Sequence, residues 1–222
     1  MDANQDSIIT KRRLPHYYTP NATVFITWNL DFHFPQSIIN ELEEQKKLFE
    51  QQNSKLTGDY RKLQEYQQDK KRFDLRDRLL GLDHSLPALL KHQRFAQIVA
   101  SSLHYWHDDR YNLHCYCIMP NHVHVLCTPL GQEASVKDIS KITYSIKRFT
   151  SNQINKLRGT KGSVWQSESY DHVVRSPEEM GRIINYILIN PVEAGLVTDW
   201  MDWPYSWIDE MLIERANSEN GL

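Results

Sequence analysis

An α+β chain is the expectation here: a ferredoxin-like βαββαβ antiparallel sheet with helices on one face, carrying a charged helical insertion. Three features raise it. Short runs rich in β-branched and aromatic residues alternate with longer amphipathic stretches. Pro120-Asn121 parts two of those runs as a turn signal, because proline presets one backbone dihedral and asparagine tolerates unusual ones, so the flanking runs read as an antiparallel hairpin. Residues 37–80 stand apart in composition, dominated by Gln, Lys, Glu, Asp and Arg. Residues 1–210 are expected to form one domain interrupted by that insertion, and residues 211–222 a polar C-terminal tail.

In chain order, residues 1–10 are polar, and residues 11–16 form a short basic arm in which Arg12, Arg13 and His16 are able to touch phosphates. Residues 24–30 are the first strand, rich in β-branched and aromatic side chains. Within 37–80, Ile38, Leu42, Phe49, Phe73, Leu75 and Leu80 recur at helical spacing and Thr57-Gly58-Asp59 interrupts them, which predicts two helices. Residues 91–106 read as a helix with Phe95, Val99 and Leu103 on one face, and residues 111–118 as the strand before the Pro120-Asn121 turn. A long helix over 136–157 is expected to bury Ile139, Ile142, Tyr144, Ile146, Phe149 and Ile154 and to point its lysines outward. Gly159-Thr160-Lys161-Gly162 ends it in a loop able to approach a phosphate closely. Residues 164–175 look like another strand. Ser176-Pro177-Glu178-Glu179 is a helix start, with Ser as N-cap, Pro at the first helical position and Glu three residues after the cap. That helix should stop near Asn190, because Pro191 disfavours helical geometry in the residue before it. The tryptophan-rich residues 200–207 should pack back on the core.

Apolar residues make up 40% of the chain and charged residues 24%, which excludes wholesale disorder. No apolar run approaches the roughly 20 residues of a membrane span, and the first residues lack a secretory pattern, so a cytoplasmic protein without a membrane partner is expected. Cys115, Cys117 and Cys127 fit that compartment as buried core thiols. Net charge is -2, yet residues 137–161 carry Lys137, Lys141, Lys147, Arg148, Lys156, Arg158 and Lys161 against Asp138 alone. Such a block makes a local positive field whatever the total, or is simply a solvated helix face.

The chemistry centres on the strand after the turn. Successive strand residues point to opposite faces, so His122, His124 and Leu126 share one face while Val123, Val125 and Cys127 anchor the other. Two imidazoles side by side are a bidentate metal platform; the plainer reading is two hydrogen-bonded histidines. Two donors are too few for a divalent ion, so a third must come from elsewhere. Tyr186 and Asn190 lie four apart and share one helix face. If that helix packs beside the internal histidine strand, Asn190 offers an amide oxygen to the same ion, with Tyr186 next to it.

The run Met119 to Leu126, the pair Trp165-Gln166, the triplet Tyr170-Asp171-His172, and Tyr186-Ile187 followed by Asn190-Pro191-Val192 and Ala194-Gly195-Leu196-Val197 together resemble the REP-associated tyrosine transposases, relatives of the single-tyrosine HUH transposases. The resemblance runs from about residue 13 to residue 207, broken by the insertion. It implies that His122 and His124 bind a divalent ion, Mg²⁺ or Mn²⁺, that Asn190 stands where many relatives carry a glutamine ligand, and that Tyr186 is the nucleophile. It also implies a bacterial, nucleoid-associated protein whose partner is single-stranded or hairpin DNA, acting as a monomer or homodimer. Tyr170 is the rival nucleophile.

Tyrosine ionises near pH 10, so only about one part in a thousand is phenolate at neutral pH, and attack on a phosphodiester needs help from a cation. The product would be a 5′-phosphotyrosine and a free 3′-hydroxyl, and because the phosphoryl bond is retained the reverse step rejoins strands. Lys147, Arg148, Lys156, Arg158 and Lys161 are expected to track phosphates, and Trp165 and Tyr170 to offer stacking faces. Two rival functions share these residues: a hairpin-binding regulator without catalysis, and a hydrolytic metallonuclease using the same histidines.

Overall fold

A computed structural model describes residues 22–54, 56–83, 85–131 and 136–213. The basic arm with Arg12, Arg13 and His16, and the tail beyond residue 213, lie outside the described residues. The elements in order are β1 (Val24–Asn29), α1 (Gln36–Gln52), α2 (Gly58–Leu82), α3 (Gln93–Tyr105), β2 (Tyr111–Ile118), β3 (His122–Pro129), α4 (Val136–Arg158), β4 (Tyr170–Val173), α5 (Pro177–Glu193) and β5 (Ser206–Ile208). They fall into two compact units.

The first unit, Phe32–Leu86, holds the insertion. Its two helices meet the expected pair, and the break falls at Gly58, whose φ of 64° is a conformation that glycine adopts without a Cβ penalty. Ile38 and Leu42 from α1 and Leu75 and Leu80 from α2 close on Phe34 and Leu86 in a small apolar cluster of their own.

The second unit contains the sheet, in the order β4-β1-β3-β2-β5 with every neighbouring pair antiparallel. The first four strands with α3 and α4 are the expected βαββαβ core, and β3 is central. Its Val123 is fully buried and Val125 nearly so, each worth about 1.5–3 kcal/mol relative to exposure, which pins the strand's register. Their face carries Ile26 and Trp28 of β1 and meets Leu103 of α3 and Ile146 of α4 around a small internal gap. Helix α5 packs against the opposite face, where it meets β2 and β3. Cys115, Cys117 and Cys127 are buried thiols rather than disulfide partners, and burial pushes Cys115 up and Cys127 to about 12, which keeps both inert.

Four details differ from the sequence expectation. Among its described side chains, the buried stripe of α4 is Thr143, Ile146, Lys147, Thr150 and Ile154, whereas Tyr144 and Phe149, expected inside, are 65% and 53% exposed. Of the expected strand over 164–175 only Tyr170–Val173 is formed, with an isolated bridge from Trp165 to Leu30, because the carbonyls of Ser167 and Glu168 turn to the Lys147 ammonium at 3.0 and 3.3 Å instead of to a neighbouring strand. Helix α5 runs past Pro191. The proline sits in the last turn, and a Schellman end follows it: Gly195, at φ 68°, donates to the Val192 carbonyl and Leu196 to that of Pro191, both at 2.9 Å. The tryptophan-rich tail packs back as expected, Trp203 donating to the Ile118 carbonyl at 3.1 Å, but it also adds β5 to the β2 edge.

Candidate metal and nucleophile site

Strand pairing builds the site. The register sets Phe25 opposite Leu126, Thr27 opposite His124 and Asn29 opposite His122, and directly opposed residues of an antiparallel pair share a face. One face of β1 and β3 therefore carries both histidines, as expected from their alternation. Each is 0% exposed.

The two Nε2 atoms are 3.0 Å apart and each Nδ1 is held from behind, His122 by Asn121 Oδ1 at 2.5 Å and His124 by Thr27 Oγ1 at 2.7 Å. A carboxamide oxygen only accepts, so His122 carries its proton on Nδ1 and turns a bare lone pair inward from Nε2. Threonine both donates and accepts, so it supports either tautomer of His124: the one that donates from Nε2 to His122, and the one that leaves both Nε2 lone pairs converging. Nitrogens that ligate one divalent ion at about 2.1 Å and near a right angle are separated by about this distance. The donor set thus fits a divalent cation held through His122 and His124, with Asn121 and Thr27 orienting the rings.

Tyr186 comes to the same place from α5. Its ring lies 5.6 Å from that of His124 at 65° and 6.0 Å from that of Phe25 at 86°, and Phe25 stacks on His124 at 5.7 Å and 29°. The helix is fixed at its start by Ser176, whose Oγ accepts from the Glu179 amide at 3.2 Å, and by the Glu179 carboxylate, which meets His172 Nε2 of β4 at 3.0 Å. Asn190, one turn beyond Tyr186, is buried. Tyr170 is also on this face, opposite Thr27, with its ring 6.2 Å from that of Phe25 at 70°.

The other expected DNA contacts separate into two groups. Arg148, Lys156, Arg158 and Lys161 are exposed. Lys147 and Trp165 are not: Lys147 is buried with its ammonium on Ser167, Glu168 and Ser169, and Trp165 lies edge-on to Trp28 with Nε1 donating to Thr150 Oγ1 at 2.8 Å. Both serve the interior rather than a phosphate or a base. Tyr144 and Phe149 are instead exposed on α4, near Arg148. Sequence reasoning also missed Phe25, Thr27 and Asn121. In the sequence Asn121 reads as a turn residue, and its second role follows from lying next to His122.

No family profile matches the chain. It is 30% identical over 100 residues to the REP-associated tyrosine transposase of Escherichia coli K12, a match taking in 45% of this chain and 55% of that protein. A Haemophilus influenzae protein of the same family name is 32% identical over 98 residues, covering 40% and 54%. The chain spans about half the length of the curated relatives it matches. Among solved structures, that of a REP-associated tyrosine transposase bound to a REP hairpin aligns with a TM-score of 0.51 at 19% identity, over 88% of this chain and 82% of that one, which shows a shared fold.

Proposed function

We propose that this chain, a relative of the REP-associated tyrosine transposases, cleaves and rejoins single-stranded hairpin DNA through Tyr186. The observation that carries the reading is the Tyr186 ring packed against His124, one of two buried histidines whose Nε2 atoms converge. His122 and His124 hold a divalent ion, Mg²⁺ or Mn²⁺, and the buried amide of Asn190 is the third donor. When bound, the ion supplies positive charge for the scissile phosphate and for the ionisation of a nearby phenol.

The residues of the chain do the rest. Tyr186 Oη forms a bond to phosphorus as the bond from phosphorus to the 3′ oxygen breaks; the phenol gives up its proton and the leaving oxygen takes one up, leaving a 5′-phosphotyrosine and a free 3′-hydroxyl. Attack by a second 3′-hydroxyl reverses the exchange and joins strands. Phe25 keeps the phenol on the histidine side, and the His172–Glu179 contact holds the helix that carries it. Because Tyr186 lies against the histidine of its own chain, one copy has nucleophile and metal donors together. Arg148, Lys156, Arg158 and Lys161 hold phosphates, Tyr170, Tyr144 and Phe149 offer stacking faces, and the arm with Arg12, Arg13 and His16 reaches the hairpin.

The test is a denaturing gel with hairpin DNA labelled on the 3′ side of the cut, with Mn²⁺, for the wild type and Tyr186→Phe. Label migrating with the protein in the wild type alone is the expected result. Free cleaved DNA from both would put water in the role of Tyr186, and a gel shift with no cleavage from either would leave a binding protein.

A further inference from the structure

The β1 residues facing the two histidines are used unequally. Thr27, opposite His124, spends its hydroxyl on that ring. Asn29, opposite His122, cannot do the same, because Asn121 already occupies His122 Nδ1. Asn29 is 3% exposed, and its Oδ1 meets no hydrogen-bond partner among the described residues. The rest of Asn29 is fixed. Its carbonyl accepts from the Gln166 amide at 3.0 Å and its Nδ2 points to Gln166 Oε1 at 3.5 Å, which leaves the oxygen as the unused end of the amide.

A buried acceptor without a donor is costly and rarely left so unless something absent from the bare chain fills it. The position identifies the filler. Asn29 Oδ1 stands on the face that carries both imidazoles and beside His122 in the ladder, and a neutral amide oxygen is a ligand type suited to Mg²⁺ and Mn²⁺. We infer that Asn29 is a further oxygen donor to the ion held by His122 and His124, through Oδ1 directly or through one ion-bound water, with Gln166 fixing its amide. The inference rests on the metal reading proposed above. It gives Gln166 a role distinct from that of its neighbour Trp165, which faces the core.

The test is Mn²⁺ binding by calorimetry on the full chain without DNA, for the wild type, Asn29→Ala, Asn29→Asp and His124→Ala, with Mn²⁺-induced shifts in melting temperature read alongside. Expected is a loss of about 10- to 100-fold in affinity for Asn29→Ala, tighter binding and a larger melting shift for Asn29→Asp, and binding abolished by His124→Ala. The aspartate keeps the shape of the amide, so it remains informative where the alanine variant fails to fold. If His124→Ala abolishes binding while Asn29→Asp keeps wild-type affinity, the inference is overturned and the metal site stands. If His124→Ala binds Mn²⁺ as the wild type does, the metal site itself is wrong and the inference goes with it.

Discussion

Thr27 Oγ1 lies 2.7 Å from His124 Nδ1 across the β1–β3 ladder, the two residues being partners in register and 97 positions apart in sequence. Thr27→Val removes the oxygen and little volume. The His124 ring then loses its orienting partner, and Mn²⁺ affinity should fall about 10- to 100-fold while folding stability drops by about 1–3 kcal/mol. Thr27→Ser should behave as the wild type. Calorimetric titration with Mn²⁺ and a urea melt measure the two effects separately; unchanged affinity in the valine variant would remove Thr27 from the site.

Tyr170 and Tyr186 both face the Phe25 ring, at 6.2 and 6.0 Å. Tyr186 also lies against His124. Tyr170→Phe keeps a stacking ring and should still form the covalent DNA adduct within about an order of magnitude of the wild-type rate. Loss of the adduct in that variant, with Tyr186→Phe still active, would exchange the two roles.

Lys147 and Arg148 are chain neighbours, one buried and one exposed. Lys147→Met strips three oxygens of the 167–169 loop of their donor and should cost about 1–3 kcal/mol of stability, with the salt dependence of hairpin binding unchanged. Arg148→Ala should leave stability within about 0.5 kcal/mol and reduce the salt slope by about 1. Filter binding across a salt series, paired with thermal melts, reads both.

His114 and His104 make stability depend on pH. Burial depresses His114, with His107 adding to the effect and Asp209 opposing it, and burial depresses His104, again with His107 adding. A histidine whose folded pKa lies below its ordinary 6.5 takes up a proton more readily when the chain unfolds. Its contribution is complete above that value and is lost as the pH falls from there toward the folded pKa. Urea midpoints measured between about pH 8 and pH 5 should therefore decline on the acid side, and His114→Gln should flatten part of the decline.

Much of this was legible beforehand for local reasons. The alternation of His122 to Cys127, the Pro120-Asn121 turn and the Ser176-Pro177 start each depend on residues within a few positions of one another. Thr27 and Phe25 were not legible because their partners are set by strand register, which joins residues about a hundred positions apart. Helix α4 misled for another reason. Among its described side chains, three of the five buried stripe residues are Thr143, Lys147 and Thr150, so an apolar count assigns Tyr144 and Phe149 to the inside although they lie off the stripe. Trp165 could not be told from a stacking platform because its Thr150 partner comes from the preceding helix.

Strand β3 serves two layers with one alternation, valines toward α3 and α4 and imidazoles toward α5. A single-residue insertion or deletion within it would exchange the layers, driving ring nitrogens into the apolar interior and Val123 and Val125 out of it. Such a frame slip would fail as a fold before it failed as a catalyst. On the proposed mechanism, descendants of this chain that abandon the chemistry but persist as folded proteins should keep the strand's length and differ by replacement at 122, 124 or 186, so a lineage's silent members would be recognisable by substitution rather than by gaps.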